Sequence, residues 1–158
     1  MQTVGIFVDV QNVYYTTRQA YQKRFDYNYF WQAALSDRSL YQANAYAIDR
    51  GDPQQRSFQN ILRAIGFNVK TKPYIQRADG SAKGDWDVGI TIDVMESLKH
   101  IDVLVLVSGD GDFELLVEKA KSYGKKVEVY GVPSLTADSL IHAATTFIPI
   151  EQDLLLNK

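Results

Sequence analysis

The chain has 158 residues, of which 46% are hydrophobic and none is cysteine, and its formal net charge is −2. This composition is typical of a globular protein, and the absence of cysteine excludes disulfides, zinc–thiolate sites and thiol nucleophiles. No signal peptide and no apolar run of the roughly 20 residues that a membrane helix needs is present, so we expect one cytoplasmic domain over residues 1–158 with no membrane partner.

The charge is distributed unevenly along the chain. Residues 1–83 contain 11 Lys and Arg against 6 Asp and Glu, whereas residues 84–158 contain 6 against 13. The basic part also holds 14 of the 19 aromatic residues. Basic side chains interleaved with aromatic rings can bind nucleic acid through its phosphates and bases. A hydrophobic core of Tyr and Phe beneath a solvated charged face explains the same composition.

Short apolar segments alternate with longer amphipathic ones, the pattern of a parallel sheet built from strand–helix units. Strands are predicted near 3–9, 42–48, 67–73, 102–107 and 126–131, with a short sixth near 146–150. Helices are predicted near 11–24, 28–36, 53–65, 87–99, 112–123 and 135–143, and a long polar loop over 75–85. The predicted fold is a single-domain, doubly wound, Rossmann-like α/β sheet of five to six parallel strands with helices on both faces.

Carboxylates and amides follow two of the predicted strands. Asp9 and Asn12 follow the first strand, Asp110 and Asp112 follow the fourth, and Asp87 opens the preceding helix. Ligands of such a sheet bind at the carboxyl ends of its strands, where the strand order reverses. If the first and fourth strands are neighbours there, these groups converge.

A pocket of carboxylates needs a compensating cation, and oxygen ligands without His or Cys favour Mg²⁺ or Mn²⁺. One or two such ions can activate water and shield a phosphodiester during hydrolysis. Asp9 and Asp110 would be direct ligands, and Asp87 and Asp112 would complete one or two ion positions. Asn12 would bind a water or a phosphate oxygen.

Each carboxylate also has a structural interpretation. Asp9 and Asp112 can cap the helices that follow them, and Asp87 can simply favour the positive end of a helix dipole. Asp93 lies about 120° around and about 9 Å along a helix from Asp87, so we expect a supporting residue or a bystander.

Other catalytic sites lack their motifs. The chain contains no GxSxG sequence, and no glycine-rich phosphate loop follows its first strand. A receiver-like signalling domain also uses carboxylates at strand ends, but it requires a Lys after its fifth strand, where this chain reads YGVPS.

Three segments, FVDVQNVYY at 7–15, KGDWDVGITIDVM at 83–95 and LVSGDGDFELLVEKAKSYGKKVEVYG at 106–131, together resemble the NYN domain in its LabA-like branch. This family is related to the PIN nucleases. The resemblance implies a PIN-like sheet, a Mg²⁺- or Mn²⁺-dependent acidic pocket and a ribonuclease role.

The resemblance also assigns roles to individual residues. It places the metal-binding and catalytic carboxylates at Asp9, Asp87, Asp110 and Asp112, and the supporting residues at Asn12, Ser108, Asp85 and Asp93. Because KGDWD is one residue longer than the usual motif, Asp85 competes with Asp87 for the inward position.

The sequence therefore predicts a metal-dependent endoribonuclease whose basic part holds RNA. The alternative is a regulatory or RNA-binding module with little turnover that acts through partners; protein partners and a homo-oligomer are left open. The candidate phosphate-binding residues are Lys83, Arg18, Lys23, Arg24, Arg50 and Arg56.

Overall fold

The computed structural model describes residues 1–73, 75–76, 82–83 and 85–157, with the backbone alone for 75–76 and 82–83. The strands are β1 (Gln2–Asp9), β2 (Arg38–Asp49), β3 (Asn68–Pro73), β4 (Ile75–Gln76), β5 (Ala82–Lys83), β6 (Val103–Val107), β7 (Lys126–Gly131) and β8 (Thr146–Pro149). The α-helices are α1 (Val10–Tyr21), α2 (Tyr27–Leu35), α3 (Pro53–Ile65), α4 (Asp87–Ser97), α5 (Glu114–Ser122) and α6 (Asp138–Ala143).

Six strands form one parallel sheet in the order β3-β2-β1-β6-β7-β8. The strand order reverses between β1 and β6, which pair over Val4–Val103 to Val8–Val107. The prediction of a doubly wound parallel sheet is confirmed. The first and fourth predicted strands are neighbours, so the residues that follow them emerge side by side.

Side chains of the central strands alternate between the two faces of the sheet, and each face is covered by helices. Val4, Ile6 and Val8 of β1 belong to the core under α1, α2 and α3. Phe7 belongs to the opposite core, with side chains of α4, α5 and α6. Full burial of each large apolar side chain is worth about 1.5–3 kcal/mol, so both layers hold the sheet in place. Helices on both faces are therefore confirmed as well.

Several helix and strand bounds in the structure differ from the predicted ones. β2 begins at Arg38 rather than 42, because its exposed first residues still pair with Gln2–Val4 of β1. α1 ends at Tyr21, where Gln22 takes a left-handed conformation with φ 54°. α6 begins only at Asp138, after a 3₁₀ turn at Pro133–Leu135.

The predicted polar loop over 75–85 contains one antiparallel pair, β4 with β5. Residues 74, 77–81 and 84 lie outside the described residues. No helix in the described part of the chain has the length and apolar character that crossing a membrane requires.

Candidate metal centre

Asp9 ends β1 at the edge where the strand order reverses, and its side chain is only 9% exposed. One carboxylate oxygen, Oδ1, accepts a hydrogen bond from the backbone N–H of Asn12 at 3.4 Å and so caps α1. The other, Oδ2, accepts one from the Ser108 hydroxyl at 3.2 Å. The capping interpretation of Asp9 therefore accounts for one of its two oxygens, and the second faces the end of β6.

The loop after β6 is held against α1 by polar contacts. Asn12 Oδ1 accepts a hydrogen bond from the Gly109 N–H at 2.9 Å, and Ser108 Oγ accepts one from the Asp110 N–H at 3.2 Å. Asp110 Oδ1 in turn accepts from the Asp112 N–H at 2.9 Å. The cap of this turn is thus Asp110 and not Asp112, whose exposed carboxylate is left for other contacts.

Both glycines of this loop are required by close packing against the segment before α6. A Cβ on Gly109 would lie 2.8 Å from the carbonyl oxygen of Leu135, and one on Gly111 would lie 2.8 Å from Cβ of Ala137. Because the loop sits so near residues 135–137, its carboxylates have fixed positions relative to the sheet.

α4 brings a third segment to the same edge, and Trp86 anchors its start. The indole N–H of Trp86 donates to the Ala47 carbonyl at 2.9 Å, and Lys72 Nζ lies 4.8 Å from the indole ring centroid. The same ammonium donates to the backbone carbonyl of Asp85. Asp85 Oδ1 accepts from the Asp87 N–H at 3.2 Å, so Asp85 caps the turn while Asp87 faces the loop after β6.

Asp87, Asp110 and Asp112 each place a carboxylate oxygen within 4.8 Å of the other two. Within the described residues, Oδ1 of Asp87 is buried and has no hydrogen-bond partner. A buried acceptor without a donor is costly, and a divalent cation would satisfy it. The donor set is all oxygen, which is the kind that hard divalent cations prefer. The residues present therefore fit a hard divalent cation.

The electrostatics of the cluster show the repulsion that a cation would relieve. Burial, reinforced by the charges of Asp110 and Asp85, raises the pKa of Asp9 to about 6. The hydrogen bonds from Asn12 and Ser108 lower this pKa but do not cancel the rise. Burial and the neighbouring Asp110 carboxylate raise the pKa of Asp87 to about 7, with smaller contributions from the Asp85 and Asp9 charges. Near neutral pH, the fully ionised cluster is thus unfavourable without a counter-ion.

Asp93 lies on α4 but contacts other partners. Its Oδ2 accepts from the Tyr46 hydroxyl at 2.7 Å and forms an ion pair with Lys70 Nζ, also at 2.7 Å. Tyr46 accepts in turn from the side-chain amide of Asn44 at 3.0 Å. Among the described residues, the three-carboxylate cluster does not include Asp93, which fastens α4 to β2 and β3.

Of the six predicted phosphate-binding residues, four lie near α1, one lies on α3, and the side chain of one is not described. Arg18, Lys23 and Arg24 line a groove along α1, and Arg50 Nη2 lies 3.5 Å from the hydroxyl of Tyr15 on that helix. Arg56 is exposed on α3. The side chain of Lys83 lies outside the described residues.

Trp86 and Lys72, which position α4, were not predicted from the sequence. The available signal for Trp86 was an aromatic residue between two carboxylates in DWD. No sequence signal pointed to Lys72, because its role depends on β3 ending beside the start of α4.

Comparison with known proteins identifies similar chains. Over 156 residues the chain is 28% identical to the low amplitude and bright protein LabA of Synechococcus elongatus, covering 93% of this chain and 83% of that protein. A solved structure of a protein of unknown function from Vibrio parahaemolyticus is 57% identical and superposes with a TM-score of 0.94, covering 98% of this chain and 96% of that one. This likeness fits the predicted PIN-like fold.

The sequence model of the NYN domain matches residues 3–151, which include all three segments of the cluster. The chain therefore belongs to the NYN domain family.

Proposed function

We propose that the protein is a metal-dependent ribonuclease that hydrolyses RNA phosphodiester bonds at the carboxylate cluster. The observation that carries the proposal is the convergence of Asp87, Asp110 and Asp112 within 4.8 Å around a buried oxygen that lacks a hydrogen-bond donor among the described residues. Membership of the NYN family, whose resemblance to PIN nucleases implies this chemistry, supports the same reading.

The chain's own residues would hold the cation and orient the substrate. Asp87, Asp110 and Asp112 would be its ligands. The sequence also predicts Asp9 as a direct ligand, but the three-carboxylate cluster among the described residues does not include it, so Asp9 would add negative charge from the buried side of the cluster. A bound Mg²⁺ or Mn²⁺ supplies Lewis-acid stabilisation of a phosphodiester and a more acidic water. Asn12 and Ser108 would keep the loop after β6 in place, since each accepts a backbone N–H from that loop.

Substrate attraction would come from the basic part of the chain. Phosphate contacts by Lys and Arg dominate nucleic-acid affinity, and they also offset the repulsion between a polyanion and a carboxylate cluster. Asp110 and its neighbours would otherwise repel a phosphodiester until a cation is bound.

A labelled single-stranded RNA incubated with Mn²⁺ or Mg²⁺ tests the proposal. We expect cleavage with metal, none with chelator, and a loss of at least about 100-fold in Asp110→Asn, as is typical when a metal-binding charge is removed. Asp93→Asn is the matched control, because it removes a carboxylate from α4 outside the cluster. Equal RNA survival with wild type and Asp110→Asn under every metal condition would refute the nuclease.

The alternative, an RNA-binding module with little turnover, has one observation in its favour. Asp9 and Asp110 each commit one oxygen to a backbone N–H, at 3.4 Å and 2.9 Å, as capping residues do. Under this alternative RNA binds but stays intact with every metal, and Asp110→Asn changes only stability.

A further inference from the structure

The exposed face of α1 carries a groove that the proposed catalytic cluster does not use. It has a volume of about 700 Å³ and is lined by Tyr14, Tyr15, Arg18, Gln19, Gln22, Lys23 and Arg24. Among the described residues, the lining contains three cationic side chains, two tyrosines and two amides, and no carboxylate. It is therefore a positively charged surface on a chain whose net charge is −2.

The two tyrosines present their rings to solvent instead of to the core. Tyr14 is 47% exposed and Tyr15 is 46% exposed, and their ring centroids lie 5.3 Å apart at an angle of 71°. The two rings therefore contact each other edge to face at the lining of the groove. Exposed aromatic rings of this kind can stack on nucleic-acid bases, whatever the base, because every base has a π-face.

The cations are held next to the rings. The guanidinium of Arg18 lies 5.9 Å from the Tyr14 ring centroid, and Arg18 Nη1 donates to the Tyr14 hydroxyl at 3.2 Å. Lys23 and Arg24 reach the groove because Gln22 ends α1 in a left-handed conformation. The backbone of Arg24 is fixed there by a 2.8 Å hydrogen bond from the Leu156 N–H to its carbonyl.

The start of α1 lies at the edge of the sheet that carries the carboxylate cluster. Asp9 is the N-cap of α1, so Tyr14 and Tyr15 lie only about 8–9 Å from it along the helix axis. Arg50 follows β2 at the same edge of the sheet and approaches the Tyr15 hydroxyl at 3.5 Å. A single strand that lies along α1 toward Asp9 would therefore be directed to that edge of the sheet.

We propose that the α1 groove binds a single-stranded polynucleotide, with bases stacked on Tyr14 and Tyr15 and phosphates paired with Arg18, Lys23 and Arg24. The inference rests on the proposed function and gives it a substrate-binding surface. Bases inside a duplex are already stacked on one another and cannot reach the rings, so the groove selects single strands. Positive charge alone would attract an acidic protein equally well, but the paired rings favour bases.

Fluorescence anisotropy in chelator measures binding without cleavage. The probe is an end-labelled RNA of about 12 nucleotides, within the range that such surfaces cover. We expect Tyr14→Ala and Tyr15→Ala each to weaken binding about tenfold and Arg18→Ala to lower the salt slope by about one. Tyr14→Phe keeps the ring and loses only the hydroxyl that accepts from Arg18, so it should weaken binding less than Tyr14→Ala does. Circular dichroism checks that each variant is folded.

The chain offers a matched control on another face. Tyr123 is 53% exposed, and Lys119 Nζ lies 5.2 Å from its ring centroid, so it repeats the tyrosine–cation pair of the groove. Tyr123→Ala should leave RNA binding unchanged. Single-stranded DNA of the same sequence distinguishes the two sources of the strand: tighter binding of RNA assigns contacts to the 2′-hydroxyl, and equal binding assigns them to bases and phosphates alone.

Three results would overturn the inference: unchanged binding in both tyrosine variants, duplex RNA binding as tightly as the single strand, or polyglutamate displacing RNA as well as RNA itself does. Because these measurements need no turnover, they are independent of the proposed hydrolysis. If the protein cleaves RNA but binds it outside the groove, only this inference is contradicted. If it binds RNA in the groove without cleaving it, only the proposed nuclease activity is contradicted.

Discussion

Asp9→Asn should stabilise the metal-free protein although it removes a residue of the proposed centre. Burial and the charges of Asp110 and Asp85 raise the pKa of Asp9 from 3.8 to about 6. The native state therefore binds a proton more tightly than the unfolded chain does. Since stability falls with pH wherever the native state binds more protons, wild type loses stability between about pH 4 and pH 6 and stays lower above that.

The size of this penalty follows from the shift in pKa. A change from 3.8 to about 6 corresponds to about 3 kcal/mol once Asp9 is fully ionised. Asparagine removes the charge and keeps one oxygen to accept the hydrogen bond from the Asn12 N–H. It replaces the oxygen that accepts from the Ser108 hydroxyl with an NH₂ group, so the loss of that hydrogen bond reduces the gain in stability. At about pH 8 we expect Asp9→Asn to raise the free energy of unfolding by up to about 3 kcal/mol. At about pH 4 the Asp9 carboxyl of the wild type is protonated and also uncharged, so the difference in the free energy of unfolding should nearly vanish.

Urea unfolding in chelator at these two pH values measures the effect. Repetition with Mg²⁺ adds a second comparison, because an ion at 100 times its dissociation constant stabilises the native state by about 2.7 kcal/mol. Wild type should gain this stabilisation and Asp9→Asn should gain less. The reasoning is refuted if Asp9→Asn is less stable than wild type at about pH 8 in chelator.

Further predictions concern metal affinity, an ion pair, Asp93 and the loop after β6. Because the cation must displace the proton of Asp87, whose pKa is about 7, and its charge also favours ionisation of Asp9, whose pKa is about 6, Mn²⁺ affinity by calorimetry should rise from about pH 6 to pH 8 and not fall. Burial opposes ionisation of Glu128, yet its two hydrogen bonds from Arg38, at 2.9 Å and 2.7 Å, help hold its pKa below the usual value. The stability that this ion pair contributes is present above the pKa of Glu128 in the unfolded chain and is lost as pH falls through its pKa in the folded protein. Urea unfolding of Glu128→Gln should therefore show a loss of about 2 kcal/mol at neutral pH that disappears in acid. Asp93→Asn should lower the melting temperature, because Lys70 and Tyr46 lose their carboxylate, but leave Mn²⁺ affinity within about twofold. Gly109→Ala should reduce Mn²⁺ affinity about tenfold or more by displacing the loop; unchanged affinity would show that the close approach to Leu135 is not needed.

Much of the fold and the location of the site could be predicted from sequence patterns. The run VLVLV of β6 is buried on both faces, as the sequence of a central parallel strand should be, and VSGDGD marks where it ends. Asp9 and Asp110 could be assigned to one edge because parallel strands end on the same side. Neither inference required knowledge of side-chain positions.

Contacts between distant segments could not be predicted in this way. Whether Asp85 or Asp87 approaches Asp110 depends on Trp86 reaching the Ala47 carbonyl, a contact across 39 residues. Capping by Asp112 was one of two interpretations of the sequence, and Asp110 forms this cap instead, because a 3₁₀ turn at Gly111–Phe113 precedes α5 and shifts the first free N–H.

The groove on α1 illustrates the same limit. The sequence showed basic and aromatic residues in one half of the chain but not which of them meet. Lys23 and Arg24 join Tyr14 only because the chain turns at Gln22 and pairs with the C-terminal residues Leu155 and Leu156.

Direct measurement of Mn²⁺ binding tests the central claim, that residues remote in sequence form one cation site. Electron paramagnetic resonance of free Mn²⁺, titrated with wild type, Asp87→Asn and Asp93→Asn, compares two carboxylates of the same helix. We expect wild type and Asp93→Asn to bind alike and Asp87→Asn to bind at least about tenfold more weakly, a difference of about 1.4 kcal/mol. Absence of binding by wild type, or equal binding by all three, would contradict the account.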